Sequence, residues 1–134
     1  VNLDETPVYP AAYSSENIIS VGNLMFDGSL EDSSNYGAVS VDIAAPGPHI
    51  LSTIPGGYGY LSGTSMSAPM VSGAAALIYS CRTDLDLAGV RNAILETAAP
   101  LEDFHRRHAG CGRGGKLRPE SIKVCLSYLL CDIL

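Results

Sequence analysis

Positive charge is scarce in this sequence. Eight Lys and Arg face 14 Asp and Glu over 134 residues, for a formal net charge of −6. Phosphate affinity comes from basic side chains that release counterions, so nucleic acid is excluded as a natural partner. Long apolar runs are also lacking. The least polar stretch, Ser65 to Cys81, contains several serines and Pro69, whereas a membrane span needs about 20 mostly apolar residues. No pair among Cys81, Cys111, Cys125 and Cys131 has C-x-x-C spacing. Zinc-ribbon and thioredoxin readings therefore have no support, and three disulfide pairings or free thiols all remain open. The N-terminus has no initiator Met, no basic n-region and no apolar h-region. It is read as a processed end or as an internal start within something longer. Finally, no Asp, Glu, Lys or Arg occurs from Ile43 through Cys81. A charge-free run in an acidic chain is what a deeply buried centre looks like.

The first half reads as short strands between turns. A strand is expected at about 18–22, ended by Gly22, and a mostly exposed loop over Phe26 to Tyr36. A second strand is expected over Val39 to Ile43, stopped by Ala-Ala-Pro-Gly, and a third over Ile50 to Ile54, stopped by Pro55-Gly56-Gly57. Tyr58 to Ser62 can return across that turn as a hairpin. From Ser65 to about Ser80 the residues are apolar on all sides, the pattern of a helix buried all round. Pro69 predicts an irregular first turn at 65–69. Asp86 can cap a second helix running to about Ala98, with Leu87, Val90, Ile94 and Ala98 on one face. A basic, Gly-rich loop over 105–115 and a third helix from Pro119, bearing Ile122, Cys125, Leu126, Leu129 and Leu130, complete the chain. Strands followed by helices, one of them wholly apolar, indicate an α/β fold with a mostly parallel sheet covered on both faces. About three strands give too little cover for such a helix, which points to further sequence upstream.

The outstanding local feature is Gly63-Thr64-Ser65-Met66-Ser67-Ala68-Pro69. Gly63 permits a sharp turn, and Ser65 then stands at a helix start, where unpaired N–H groups and the positive end of the dipole gather. An acyl-transfer nucleophile needs this arrangement: a hydroxyl beside ready donors for a developing oxyanion. The same run is also a plain helix cap.

The residues from Gly63 to Leu77 closely resemble the nucleophile segment of subtilisin-like serine proteases, G-T-S-M-[AS]-x-P-x-V-[AS]-G-x-x-A-L. Tyr9-Pro-Ala11 is similar to that family's Y-P-A loop, and Ile18 to Gly22 to its V-I-x-V-G strand. Ser34-Asn-Tyr-Gly37, Val41-Asp-Ile-Ala-Ala-Pro-Gly47 and Ile50 to Gly57 match S-N-Y-G, V-D-[IVL]-x-A-P-G and I-x-S-T-x-P-G-G in the family's order. Val90 to Ala98 looks like the helix that follows. The likeness is clear over about residues 7–100 and weak over Gly114 to Val124. It implies that 1–134 is the C-terminal portion of a subtilisin-like peptidase domain, a partial doubly wound sheet around a buried central helix. It further implies a cis Tyr9–Pro10 bond.

The resemblance makes Ser65 the nucleophile, supported by Gly63 and Thr64, with Thr64 and Met66 beside the substrate cleft and Val8 near the floor of the primary pocket. In this family the chain order is Asp, His, Ser. No Asp here is followed by the family's [ST]-G, and none of His49, His105 and His108 by Gly-Thr. Met70 occupies a position where many relatives carry a non-catalytic His. Asn23, in Val21-Gly22-Asn23, mimics the oxyanion asparagine but follows the Y-P-A loop instead of preceding it, so it is given a turn role at the strand end. The triad Asp and His and the oxyanion Asn are thus expected upstream, in the remainder of the same catalytic domain, and the isolated chain is expected to lack peptidase activity. No cofactor is required. A structural Ca2+ or other cation at Asp42, with carbonyls of Ala11 and Tyr13, is implied by the resemblance, against the plainer reading of a capped or solvated acid. His105-x-x-His108-x-x-Cys111 has zinc-ligand residue types but no second pair, and reads as a solvated loop. The acids at 27, 31 and 32 lack a calcium-loop pattern and read as a solvated face. Peptide or protein substrates, and a secreted or cell-surface location, follow from the resemblance. A catalytically dead binding module of the same fold, or a non-functional fragment, is the alternative.

Overall fold

The computed structural model describes residues 1–100 and 123–124. In chain order the elements are β1 (Val21–Leu24), β2 (Ile43–Pro46), β3 (Ile50–Ile54), β4 (Gly57–Leu61), α1 (Thr64–Cys81), α2 (Leu87–Thr97), β5 (Ala99–Pro100) and β6 (Lys123–Val124). One sheet has the order β1-β2-β6-β5, in which β1, β2 and β6 run parallel and β5 is antiparallel to β6. The other is the β3–β4 hairpin.

Alternation along β1 and β2 sends side chains into two cores. On one face Leu24 and Ala44 pack with Leu3, Leu30 and Val41. On the other, Ile43 and Ala45 pack with Val71 and Ile78 of α1 and with Val90, Ile94 and Ala98 around α2. Small residues at 44 and 45 let the helix layer and the loop layer close on a sheet that is buried on both sides. Asp86 begins α2 by accepting the Gly89 N–H at 2.8 Å. Leu87, expected on the buried face of α2, is exposed. In the turn between the helices, Arg82 hydrogen-bonds Asp84 and holds its carboxyl down at about 2.

Several boundaries differ from those the sequence suggests. β1 lies at 21–24 and not 18–22, because Ser20 is tied to residue 42: its N–H donates to the Asp42 carboxylate, and its carbonyl accepts from Asp42 and Ile43. β2 begins at Ile43, where the expected strand over 39–43 was to end. The Asp4 carboxylate accepts the N–H groups of Ala38, Val39 and Ser40, which holds this segment as a turn and leaves Val39 exposed. Burial would raise the Asp4 pKa, but the Ser40 hydroxyl and these three N–H groups outweigh it and hold the carboxyl below its ordinary value. The loop before β2 is not wholly exposed: Ser29, Leu30 and Ser34 are buried, and Leu30 bridges back to Leu24. Lys123–Val124, placed in a helix by sequence, forms a strand instead. The rest of that expected helix, the 105–115 loop, and Cys111, Cys125 and Cys131 lie outside the described residues.

Helix α1 runs unbroken from Thr64 through Pro69 to Cys81, so the irregular first turn expected at 65–69 is absent. Proline deletes one donor, to the Ser65 carbonyl, and its fixed φ suits a helix. Among the described residues α1 buries Ser67, Val71 and Ile78, while Met66 and Ala74 are half-buried and Met70 and Leu77 are exposed. Among the described residues its apolar surface is therefore covered on one side only. No described helix is long and apolar enough to cross a membrane.

Candidate active site

The carboxyl ends of β1 and β2 and the N-terminus of α1 meet at four residues: Asn23, Gly47, Gly63 and Ser67. The Gly63 N–H donates to the Gly47 carbonyl at 3.1 Å, tying the exit of the hairpin to the end of β2. Ser67 is fully buried, and its Oγ reaches Asn23 Oδ1 at 3.4 Å. A Cβ at Gly47 would collide with Asn23 Oδ1, Ser67 Oγ and the Gly63 carbonyl together. Gly47 is therefore required by close approach. Gly63, at φ 142°, is required by backbone conformation.

Sequence reasoning missed Ser67 and Gly47 as parts of this site. Asn23 stands near the carboxyl end of β1 as expected, but as a buried, paired strand residue and not in a turn, with its N–H donated to Ser34 Oγ at 2.9 Å. The clue lay in the period-2 pattern, since Asn23 shares the face of Val21 that α1 covers.

This knot presents Ser65 at the second position of α1, with its side chain exposed. The Gly63 carbonyl accepts from Met66 and Ser67 at 2.9 and 3.3 Å. The N–H groups of Thr64 and Ser65 precede any intrahelical acceptor and remain free to bind an anionic oxygen. No acidic residue stands in the first turn to neutralise the positive end of the 18-residue helix. Thr64 is exposed and Met66 half-buried on either side of Ser65. An exposed hydroxyl beside unpaired donors can attack a carbonyl and hold the resulting oxyanion, given a base. Among the described residues no group hydrogen-bonds the Ser65 hydroxyl. His49, the one described histidine, stacks on Tyr60 with ring centroids 4.2 Å apart. His105 and His108 lie outside the described residues.

Ala11, Tyr13 and Asp42 gather at the opposite end of the strands. Tyr9–Pro10 is cis, Val8 beside it is half-exposed, and Ala11, Tyr13, Asp42 and Arg91 line an open cavity of about 300 Å3. Asp42 is neither bare nor merely solvated. Its Oδ1 accepts Arg91 Nη2 at 3.0 Å, and its Oδ2 accepts the Ser20 N–H at 2.8 Å. Both carboxylate oxygens are thus engaged within the protein, and among the described residues no group of three or more His, Cys, Asp or Glu could hold a metal ion.

The chain matches the sequence model of the subtilase family, Peptidase_S8, over residues 1–114. It is 46% identical over 99 residues to the thermophilic serine proteinase of Bacillus sp. strain AK1, covering 72% of this chain and 23% of that protein. It is 51% identical over 73 residues to the major intracellular serine protease of Bacillus subtilis, covering 54% and 22%. Among solved structures, the prenylagaramide maturation protease PagA superposes with a TM-score of 0.63 at 37% identity, covering 69% of this chain and 35% of that one. A protease from Pseudoalteromonas arctica PAMC 21717 superposes with a TM-score of 0.68 over 94% of this chain and 38% of its own, and at 24% identity that likeness speaks for the fold. The chain thus spans less than a quarter of the Bacillus relatives. With the family's pattern matched over most of its length and the helix-borne serine in place, the chain belongs to the subtilase family.

Proposed function

We propose that this chain is the nucleophile-bearing, C-terminal portion of a subtilisin-like serine endopeptidase domain. The observation that carries the reading is the placement of Ser65, an exposed hydroxyl on the first turn of α1, held by the Asn23–Gly47–Gly63–Ser67 knot. Ser65 Oγ attacks the scissile carbonyl while a histidine from the remainder of the domain takes its proton and passes it to the departing amine as the C–N bond breaks, and water then hydrolyses the acyl-enzyme. The Ser65 N–H, with an asparagine from the same remainder, holds the oxyanion. Thr64 and Met66 flank the cleft, and Val8 contributes to the primary pocket.

The remainder of the domain also covers the open side of α1, where Met70 and Leu77 stand exposed. The chemistry requires no cofactor. A cation at Asp42, with the carbonyls of Ala11 and Tyr13, would have to displace the Arg91 guanidinium. Export to the cell surface, which the resemblance implies, stands beside a relative named as an intracellular protease, so fractionation of cells decides it.

The test is hydrolysis of an unstructured protein such as casein by the complete gene product. Cleavage that disappears in Ser65→Ala, with the fold intact, is the expected result. Equal cleavage by Ser65→Ala would remove Ser65 from the mechanism. A folded complete protein without cleavage would instead support a binding module of the same fold.

A further inference from the structure

Helix α1 starts at Gly63 without a side-chain cap, so its first turn is fixed by what lies beneath it. Its inward stripe is Ser67, Val71 and Ile78. Val71 and Ile78 pack with Ile43 and Ala45, and apolar contacts of this kind have no preferred direction. Ser67, the member nearest Ser65, is polar and 0% exposed. A serine inside a helix commonly bonds back to the carbonyl four residues earlier, as Ser72 does to Ala68 at 3.2 Å. Ser67 instead donates across the interface to Oδ1 of Asn23, a β1 residue only 2% exposed. Among the described residues this is the one side-chain hydrogen bond between α1 and the sheet.

We propose that the Ser67–Asn23 hydrogen bond sets the rotation of the first turn of α1 about its axis, which makes both of them positioning residues for Ser65. This rests on Ser65 being the nucleophile. Successive helical residues are about 100° apart around the axis, so residues two apart stand about 200° apart. Ser67 facing β1 therefore sends Ser65 outward, in keeping with its exposure. A rotation of about 15° carries an atom about 4 Å from the axis through about 1 Å. Misplacement of that size can cost about 100-fold in a chemical step. At 3.4 Å the bond is longer than an ordinary O–H···O bond, so its loss costs little stability while it frees the rotation. Both side chains are buried out of reach of a peptide, so the loss falls on turnover and not on binding.

The experiment measures hydrolysis of fluorescein-labelled casein by the complete gene product and compares Ser67→Ala, Asn23→Leu, the two together, and Val71→Ala. Ser67→Ala and Asn23→Leu are each expected to lower kcat about tenfold with KM within about twofold. The double variant should also fall about tenfold and not about 100-fold, because the second change removes a contact already lost. Val71→Ala, one turn along the same stripe, should lower the melting temperature more than Ser67→Ala does and leave kcat within about twofold. Parent-like kcat in Ser67→Ala, independent effects of the two single changes, or an equal loss of kcat in Val71→Ala overturns the proposal. Labelling of Ser65 by a fluorophosphonate in the unsubstituted protein judges the nucleophile separately. If that labelling fails, the peptidase reading falls, and the rate at which iodoacetamide alkylates the Ser65→Cys variant still judges the placement. Adding Ser67→Ala to that variant should change the rate by about threefold or more, whereas adding Val71→Ala should not. Equal rates with and without Ser67→Ala overturn the proposal.

Discussion

Substituting Gly47 by alanine isolates the knot that holds the turn carrying Ser65. Gly47 is not at a positive φ, so its backbone accepts an alanine and the cost is steric alone. The added Cβ would lie closer than 3.0 Å to Asn23 Oδ1, Ser67 Oγ and the Gly63 carbonyl. None of the three is the far end of a flexible side chain. Asn23 is fixed in β1, Ser67 is buried in α1, and the Gly63 carbonyl accepts the first helical hydrogen bonds. Overpacking a well-filled site costs about 1–3 kcal/mol, and a collision on three sides belongs at about 3 kcal/mol. For a domain of 150–250 residues that is a fall of roughly 6–12 °C in melting temperature. Because one of the three atoms is the carbonyl at the start of α1, relief of the clash moves Ser65. The rate of fluorophosphonate labelling should therefore fall further than the unfolded fraction explains. Thermal unfolding and labelling of the complete gene product, with and without Gly47→Ala, measure both. A variant within about 0.5 kcal/mol of the parent and labelled at the parent rate would refute the steric argument.

Asp86→Ala removes the N-cap of α2 and should cost about 1 kcal/mol in urea unfolding. Asp4 is held below its ordinary pKa, so its contribution is complete at neutral pH and is lost as pH falls through the lowered folded value. Asp4→Asn should therefore destabilise the protein at pH 7, and the difference should shrink as pH falls through the lowered Asp4 value in a pH series of melting curves. At Gly73 nothing lies within 4 Å of an added Cβ, and helix propensity alone favours alanine by about 1 kcal/mol. If the remainder of the domain packs on that side of α1, Gly73→Ala should instead lower the melting temperature of the complete gene product.

Much of the fold was legible where local chemistry and tertiary context agree. The hairpin was readable from Pro55-Gly56-Gly57 between two β-rich runs, and α1 from the turn at Gly63 and the apolar run that reaches about Ser80. β2 was misread because Val39, Val41 and Ile43 alternate as a strand should, whereas Ala44-Ala45-Pro46 have poor strand propensity. The sheet needs small residues there because it is covered on both faces, and Asp4, 34 to 36 residues away in sequence, ties up the preceding backbone. No local window contains that contact. The place of Ser65 at a helix start was legible through its motif. The knot beneath it was not, since Asn23, Gly47 and Ser67 come from three separate segments.

Fluorophosphonate labelling followed by peptide mapping tests the central claim most directly, on the complete gene product and on residues 1–134 alone. A serine hydroxyl is hardly ionised at neutral pH, and loss of the triad histidine in subtilisin lowers turnover by about 10⁶-fold. The account predicts stoichiometric labelling at Ser65 in the complete protein, none in its Ser65→Ala variant, and none in the isolated chain. Label on a different serine, or no label on a folded complete protein, would contradict it.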